Sequence, residues 1–477
     1  QALFNLLIPD HAAPPPSPPR LSEPGPWDAL LEPPPRGLSR WDAEHFLFIA
    51  ERPPPYEHNW AFFPLYPLTL RAPPPGALWP LQRVLQLRSR LPPPPVLLNS
   101  LFSILAASAL YPPPCAVLSS RRLAFLAALL SPPPPANVFL AAAYSESMFS
   151  PPPLHAMWQL EKGQSCLSGL LFSLASGVRA NGVINAGFLP PPPCKSFALH
   201  LRVGSGSVRM LWKQLLGVAA PAVLTSAGVP PPFAWFQFSA YGRFCVPSPP
   251  PPPAVPKPLR QLALDKGYPP PPPHGVQPPW CSHRFPLIPP PIQDVYWNVG
   301  FLRYFELTPP PNFLLALPVT ILGSWAAPPP RTANPRHCLT LGLERRNPPP
   351  EGKPRAGFCC PAVFVYAPPP TVLLVFGFFC MHVQVLTRFL GSSSPVLYWF
   401  SAHLLQEYEP WLWSEGSDNP PPPPHALQGG NGTLENPVVR LLKNFRLINP
   451  LSKCLLGFFS AYWLLGLVLH CNCLPWT

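Results

Sequence analysis

Charge is scarce in this chain. Asp, Glu, Lys and Arg make up 11 % of the 477 residues, less than half of the roughly 25 % usual for a soluble domain. That shortage speaks against a water-soluble enzyme and for a polytopic membrane protein. The twelve cysteines contain no CxxC pair and no Cys/His spacing suited to zinc, so no metal site is read. Basic residues nowhere interleave with stacking aromatics on one face, so the net charge of +13 implies no nucleic-acid partner.

Apolar and aromatic residues are abundant, at 47 % and 12 %. A spanning helix needs about 20 apolar residues, and candidate segments lie near 96–111, 115–131, 136–150, 166–190, 211–229, 233–246, 312–327, 357–380, 381–403 and 454–470. The expected fold class is all-α, a multispanning helical bundle. The opening "ALFNLLI" reads as the rest of a first spanning helix whose N-terminal half is missing, and no intact signal peptide is visible.

Proline is in excess, with 87 residues. Runs of three or more recur about every 20 residues from Pro14 to Pro368, with two beats skipped, yet nothing but proline repeats at that period, unlike a structural repeat. The runs read as an overlay on an apolar design. A proline inside a helix removes a backbone hydrogen bond and costs about 3 kcal/mol. Helices should therefore begin, break or kink at the runs, including Pro112–Pro114 and Pro368–Pro370, while Leu98 to Ala107 should be helical.

Lys and Arg favour cytoplasmic loops. Arg331, Arg336, Arg345, Arg346, Lys353 and Arg355 place the loop 331–356 in the cytoplasm. Arg440, Lys443, Arg446 and Lys453 place the start of the last helix there, within a variable loop 405–450. The single sequon, Asn431-Gly432-Thr433, then lies on the wrong side for glycosylation. A loop region at 247–298 is read as lumenal. Cys245 and Cys281 flank its long polar stretch and could pair in that compartment, whereas Cys359 and Cys360 read as buried thiols.

Ionisable residues crowd into few places. Asp42, Glu44 and His45 follow Arg40 directly after the first apolar segment, and His58 and Asn59 come soon after, in a first lumenal loop at 39–67. A carboxylate walled by aromatics at a membrane surface can act as a general base on a hydroxyl, and partial desolvation raises its pKa toward a useful range. A solvated loop Asp is the plainer alternative. Tyr144 and Glu146 interrupt one apolar stretch, and Arg179, Asn181 and Asn185 another. Such groups face a cavity or a partner, so a purely structural Glu146–Arg179 ion pair is the competing account. Gln293, Asp294, Trp297 and Asn298 combine amides, a carboxylate and a ring, the mixture a sugar site requires; an amphipathic surface helix would read the same way.

Seven stretches in order, "RWDAEHFLFIAE", "EHNWAFFPLYP", "SPPPPANVFLAAAYSE", "GVRANG", "QDVYWNVGFLRYFEL", "CMHVQVLTRFLGSSSPVLYWF" and "YWLLGLVLHCNCLPWT", resemble the GPI mannosyltransferase 2 family. The resemblance covers nearly the whole chain, and its register continues across the proline runs. It implies a single membrane-embedded GT-C glycosyltransferase domain over 1–477, resident in the endoplasmic reticulum membrane, with lumenal loops forming the active site. It further implies dolichyl-phosphate mannose as donor, a lipid-linked GPI precursor as acceptor, an α-1,6 bond formed by a single inverting displacement, and no cofactor. On that resemblance Asp42 is the catalytic base, and Arg179 and His45 are candidates to face the departing phosphate.

Rival readings predict other features. A lipid or solute transporter predicts paired broken helices in two related halves, and no internal duplication is visible. A proline-rich interaction protein needs exposed PxxP segments with basic flanks, whereas these runs sit between apolar segments. A third alternative is an inactive member of the same family, since Pro53–Pro55, Pro151–Pro153 and Pro289–Pro291 adjoin the proposed site residues.

Overall fold

The computed structural model describes residues 40–51, 54, 56–71, 93–131, 135, 137–189, 223, 225–246, 278–283, 289–305, 310–333, 357–410, 441 and 443–471. Every regular element among these is helical. Four stretches are long and apolar enough to cross a membrane: Pro95–Val117, Pro311–Pro330, Pro361–Cys380 and Pro450–Cys471. Their outward side chains fit lipid rather than water. Leu97, Ile104, Leu314 and Val372 are 69, 66, 65 and 56 % exposed, more apolar surface than a soluble monomer leaves uncovered. The fold is an all-α, polytopic membrane protein.

Other expected spans are broken, each at a polar or proline position. The segment 136–150 divides into Asn137–Ala141 and Glu146–Phe149, with Tyr144 and Ser145 at the break. The segment 115–131 divides into Pro112–Val117 and Arg121–Leu130, the latter capped by Ser120 Oγ, which accepts from Leu123 N. The segment 381–403 divides at Ser394–Pro395 into Leu386–Ser393 and Val396–Tyr408. The segment 166–190 is the helix Ser165–Val178 followed by the 3-10 stretch Ala180–Phe188. Most of 211–229 lies outside the described residues, as do 334–356, 411–440 and 247–277, which carry much of the three remaining loops and the sequon.

The proline runs start helices. Pro112, Pro151, Pro289 and Pro368 each open one. The first four backbone N–H groups of a helix have no partner within it, so a proline triplet at the first three positions removes no helical hydrogen bond. Leu98 to Ala107 lies within the helix Pro93–Ala109, as expected. Pro318, which belongs to no triplet, is the exception, lying inside Pro310–Ala326. Its missing N–H leaves Leu314 O, four residues back, without its helical donor, and the Tyr462 hydroxyl of the last helix reaches that carbonyl at 3.5 Å while donating to the adjacent Leu315 O at 3.0 Å. A neighbouring helix thus supplies what proline withholds.

The largest core cluster surrounds Phe172, Tyr366, Trp399 and Phe400. A second joins Phe46, Leu47, Tyr66, Phe139, Tyr144 and Phe149 and forms the floor beneath the acidic cluster. A third contains Phe244, Cys245, Trp280 and Ile292. Cys245 and Cys281 form a disulfide with Cα atoms 5.5 Å apart.

Candidate active site

Asp42 opens the helix Asp42–Glu51, where its carboxylate also faces the positive end of the helix dipole. The residue before it, Trp41, has φ of 58°, a left-handed conformation that a bulky side chain rarely adopts. Backbone held in such a region costs about 1–3 kcal/mol and persists where its surroundings enforce it. Asp42 itself is held from far along the chain. Both terminal nitrogens of Arg388 donate to Asp42 Oδ2, each at 2.9 Å. Oδ1 is not engaged by Arg388.

Glu146 adjoins the same guanidinium. It is 1 % exposed, 2.7 Å from Arg179 Nη1 and 3.5 Å from Arg388 Nη1. Arg179 Nη1 also donates to Ser145 Oγ at 3.2 Å. Two carboxylates and two guanidiniums therefore alternate in one chain, Asp42–Arg388–Glu146–Arg179, so each buried charge has a counter-charge. The ion pair weighed as the competing account for Glu146 and Arg179 exists, and Asp42 is joined to it through Arg388.

Local structure explains how these groups converge. The break between Asn137–Ala141 and Glu146–Phe149 exposes backbone carbonyls, and the Asn99 side-chain amide donates to two of them, Ala142 O and Tyr144 O. Irregular backbone in a membrane protein is tolerated where protein satisfies it. Arg179 leaves the helix Ser165–Val178 in an extended conformation, and the chain folds back so closely that a Cβ on Gly182 would lie 2.5 Å from Ser176 N. That close approach requires glycine. Asn181 donates to Ser393 Oγ at 2.7 Å, fastening this return to the helix carrying Arg388.

The wall beside Asp42 is aromatic. His45 stacks on Phe62 with centroids 4.8 Å apart and meets the edges of His58 at 5.6 Å and Trp297 at 6.1 Å. His58 stacks on Tyr56 and lies 5.5 Å from Tyr296. Burial pushes the His45 imidazole down to about 4 against an opposing pull from Asp42, and burial with His45 nearby pushes His58 down to about 3. Both rings are therefore neutral at neutral pH. Asn59 is fully buried, its Oδ1 accepting from Tyr56 N at 3.4 Å. Tyr144 is equally buried, and its hydroxyl donates to Arg40 O. Glu44 is half-buried on the Asp42 helix.

The segment around Gln293 divides in role. Trp297 joins the aromatic wall, and its carbonyl lies 2.8 Å from His382 Nε2. Asp294 instead pairs with Arg303 at 3.0 Å, both groups more than a third exposed. Asn298 is exposed and turns toward the same arginine, while Gln293 is half-buried on the helix Pro289–Trp297. Sequence reading did not single out Arg388, Asn99 or His382. Arg388 carried the same signal as Arg179, a lone charge within an apolar stretch. Among the described residues no three His, Cys, Asp or Glu side chains converge as a metal site.

A cavity of about 430 Å³ lies next to the charged chain, lined by Ser103, Ala107, Ser150, Met157, Ser392 and Tyr398 among others. Ser150 links the two, since its hydroxyl donates to Glu146 O at 2.9 Å and Ser392 O at 3.1 Å.

Known proteins resemble the whole chain. Residues 1–477 match a family described as "Mannosyltransferase (PIG-V)". The chain is 51 % identical over 482 residues to a Mus musculus protein named GPI alpha-1,6-mannosyltransferase 2, with 100 % of this chain and 95 % of that one covered. It is 49 % identical over 487 residues to the Homo sapiens protein of the same name, with the same coverage. A Drosophila pseudoobscura pseudoobscura protein named GPI mannosyltransferase 2 is 30 % identical over 428 residues, covering 84 % of this chain and 87 % of its own. No solved structure matches the chain.

Proposed function

Since the chain belongs to the PIG-V mannosyltransferase family, we propose that it transfers an α-1,6-linked mannose from dolichyl-phosphate mannose to a GPI-precursor glycolipid in the endoplasmic reticulum, with Asp42 as general base. The observation that carries the reading is the grip of Arg388 on one oxygen of Asp42 alone. The guanidinium orients the carboxylate and leaves Oδ1 to accept a proton.

In this mechanism the acceptor 6-hydroxyl gives its proton to Asp42 Oδ1 as its oxygen attacks the anomeric carbon. The bond between that carbon and the phosphate oxygen breaks, and its electron pair stays on the departing dolichyl phosphate. One displacement on a β-linked donor gives the α product. Charge developing on the phosphate calls for a cation placed in advance. Arg179, 19 % exposed, suits that role better than His45, which is neutral. His45 and Trp297 offer rings and hydrogen-bonding groups to the sugars, backed by the buried His58 and Asn59, with Glu44 and Asn181 at the margins. The cavity beyond Ser150 suits the hydrocarbon of a lipid substrate.

Sidedness supports a lumenal site. Lys453 and His470 lie on one helix, Pro450–Cys471, separated by about 26 Å at 1.5 Å rise per residue. His470 packs 5.5 Å from the Tyr144 ring, at the level of the site. If the basic end is cytoplasmic, Asp42 faces the lumen. The Cys245–Cys281 disulfide fits an oxidising compartment as well. The decisive test is transfer by purified protein from synthetic dolichyl-phosphate mannose to a GPI precursor bearing one mannose. Absence of a mannosylated product with correctly folded protein would defeat the proposal.

A further inference from the structure

A hydrogen bond and a disulfide stand behind the turn that carries His58 and Asn59. Cys245 caps the helix Pro231–Phe244, and Cys281 lies in the turn Pro279–Ser282. Their bond fixes Trp280, which is 3 % exposed and donates its indole N–H to Glu57 Oε1. Glu57 opens the turn Glu57–Ala61. In the same turn Trp60 stacks on Phe236 at 5.2 Å and meets Phe244 at 6.1 Å, while Trp280 meets Phe244 at 6.3 Å. The turn is thus held on one face by the disulfide-bonded pair and presents His58 on the other, toward His45 and Tyr296.

We propose that Glu57 and Trp280 are positioning residues for the transfer reaction, and that the Cys245–Cys281 disulfide keeps them in register, so that acceptor binding beside His45, which the buried His58 backs, depends on that bond being oxidised. The inference rests on the proposed transferase function. Its physical basis is connectivity. Beside the cluster of Trp60, Phe244, Cys245, Trp280 and Ile292, the Glu57–Trp280 hydrogen bond is a polar link between the disulfide and the turn. A carboxylate–indole bond is charge-assisted and directional, whereas the surrounding ring contacts tolerate sliding. Burial raises the Glu57 pKa against the opposing effect of the indole donor, in keeping with a carboxylate that depends on that partner. A small dithiol such as dithiothreitol would reduce the bond to two thiols, taking up two electrons and two protons while the reagent closes to its own cyclic disulfide. Trp280 would then lose its covalent tie to the end of the helix Pro231–Phe244.

The test is steady-state kinetics of the full chain in detergent, with dolichyl-phosphate mannose and the GPI precursor. Expected for Glu57→Ala and Trp280→Phe is a KM for the acceptor raised about tenfold, with kcat within about twofold. Glu57→Gln keeps an acceptor for the indole and should recover most of that loss. Dithiothreitol should raise the acceptor KM of the parent protein similarly and leave the Cys245→Ser, Cys281→Ser double variant unchanged. A maleimide mass shift confirms reduction, and gel filtration confirms folding. The inference is overturned by an unchanged KM in Glu57→Ala, by a Glu57→Gln loss as large as that of Ala, or by full activity after verified reduction. Asp42→Asn serves as the separate control, because an active Asp42→Asn enzyme overturns the assignment of the site itself, whereas a normal Glu57→Ala overturns only the positioning role.

Discussion

Arg388 holds Asp42 and Glu146 with one guanidinium, so the two carboxylates cannot be perturbed independently. Asp42→Asn retains shape and loses basicity, and mannosyl transfer should fall by about 100-fold or more with little change in acceptor KM; near-normal turnover would remove Asp42 from the role of base. Arg388→Gln leaves Asp42 without its counter-charge and Glu146 with Arg179 alone. The expected cost is about 3 kcal/mol, the low end for a broken buried pair, because Asp42 is 27 % exposed. Thermal unfolding in detergent would read it. Arg388→Lys keeps the charge but not the fork, so activity should drop further than stability. The histidines set a pH dependence. His45 and His58 have folded values of about 4 and 3, below the ordinary 6.5, so the unfolded chain binds more protons between those limits. Stability is therefore full above about pH 6.5 and declines as pH falls toward 4, by up to about 1.4 kcal/mol per unit for each imidazole. A flat unfolding temperature from pH 7 to 5 would contradict their burial as neutral rings. Asp42 and the Glu146–Arg179 pair were legible from sequence because charge in an apolar chain stands out. Which cation meets Asp42 was not, because Arg388 lies 346 positions away and only the packing of helices brings them together.

At the scale of elements, the proline runs are less damaging than their number suggests. As interior residues, Pro368–Pro370 would cost up to roughly 9 kcal/mol at about 3 each. They instead occupy the first turn of Pro368–Cys380, where no helical hydrogen bond is lost. Replacing all three by Leu should therefore change stability by only about 1 kcal/mol, and a gain of several would mean that a longer helix had been interrupted. Helix starts at these runs were readable because proline fixes both φ and the missing donor. The breaks at Tyr144 and at Ser394 were not, since polar residues in an apolar stretch do not say where the helix stops, and the side chain that serves the carbonyls at the first break, Asn99, sits on another helix. Pro318 and Tyr462 give a complementary case. Tyr462→Phe should cost about 1 kcal/mol, and less when Pro318→Ala restores the backbone donor. A double-mutant cycle with zero coupling would show that the hydroxyl does not serve those carbonyls.

For the whole molecule, the basic end and the reactive end lie at opposite ends of Pro450–Cys471. Single cysteines in 331–355 and in 39–60 should therefore react with an impermeant maleimide from opposite faces of sealed microsomes, and labelling of both from one face would reverse the topology. Composition indicated the membrane, yet the number of crossings did not follow, because a helix too short to cross, Ser165–Val178, is as apolar as the crossing ones. The long reach of the Asp42–Arg388 pair also gives the site a history. At roughly 5–20 residues per second, a ribosome that has just delivered Asp42 needs on the order of 20–70 s to deliver Arg388. Throughout that interval Asp42 and, later, Glu146 enter the membrane region without this guanidinium. The reactive centre is therefore absent from every nascent intermediate that ends before Arg388 and appears only once the helix Leu386–Ser393 has docked, which makes catalytic competence a report that the chain has been made and packed at least that far.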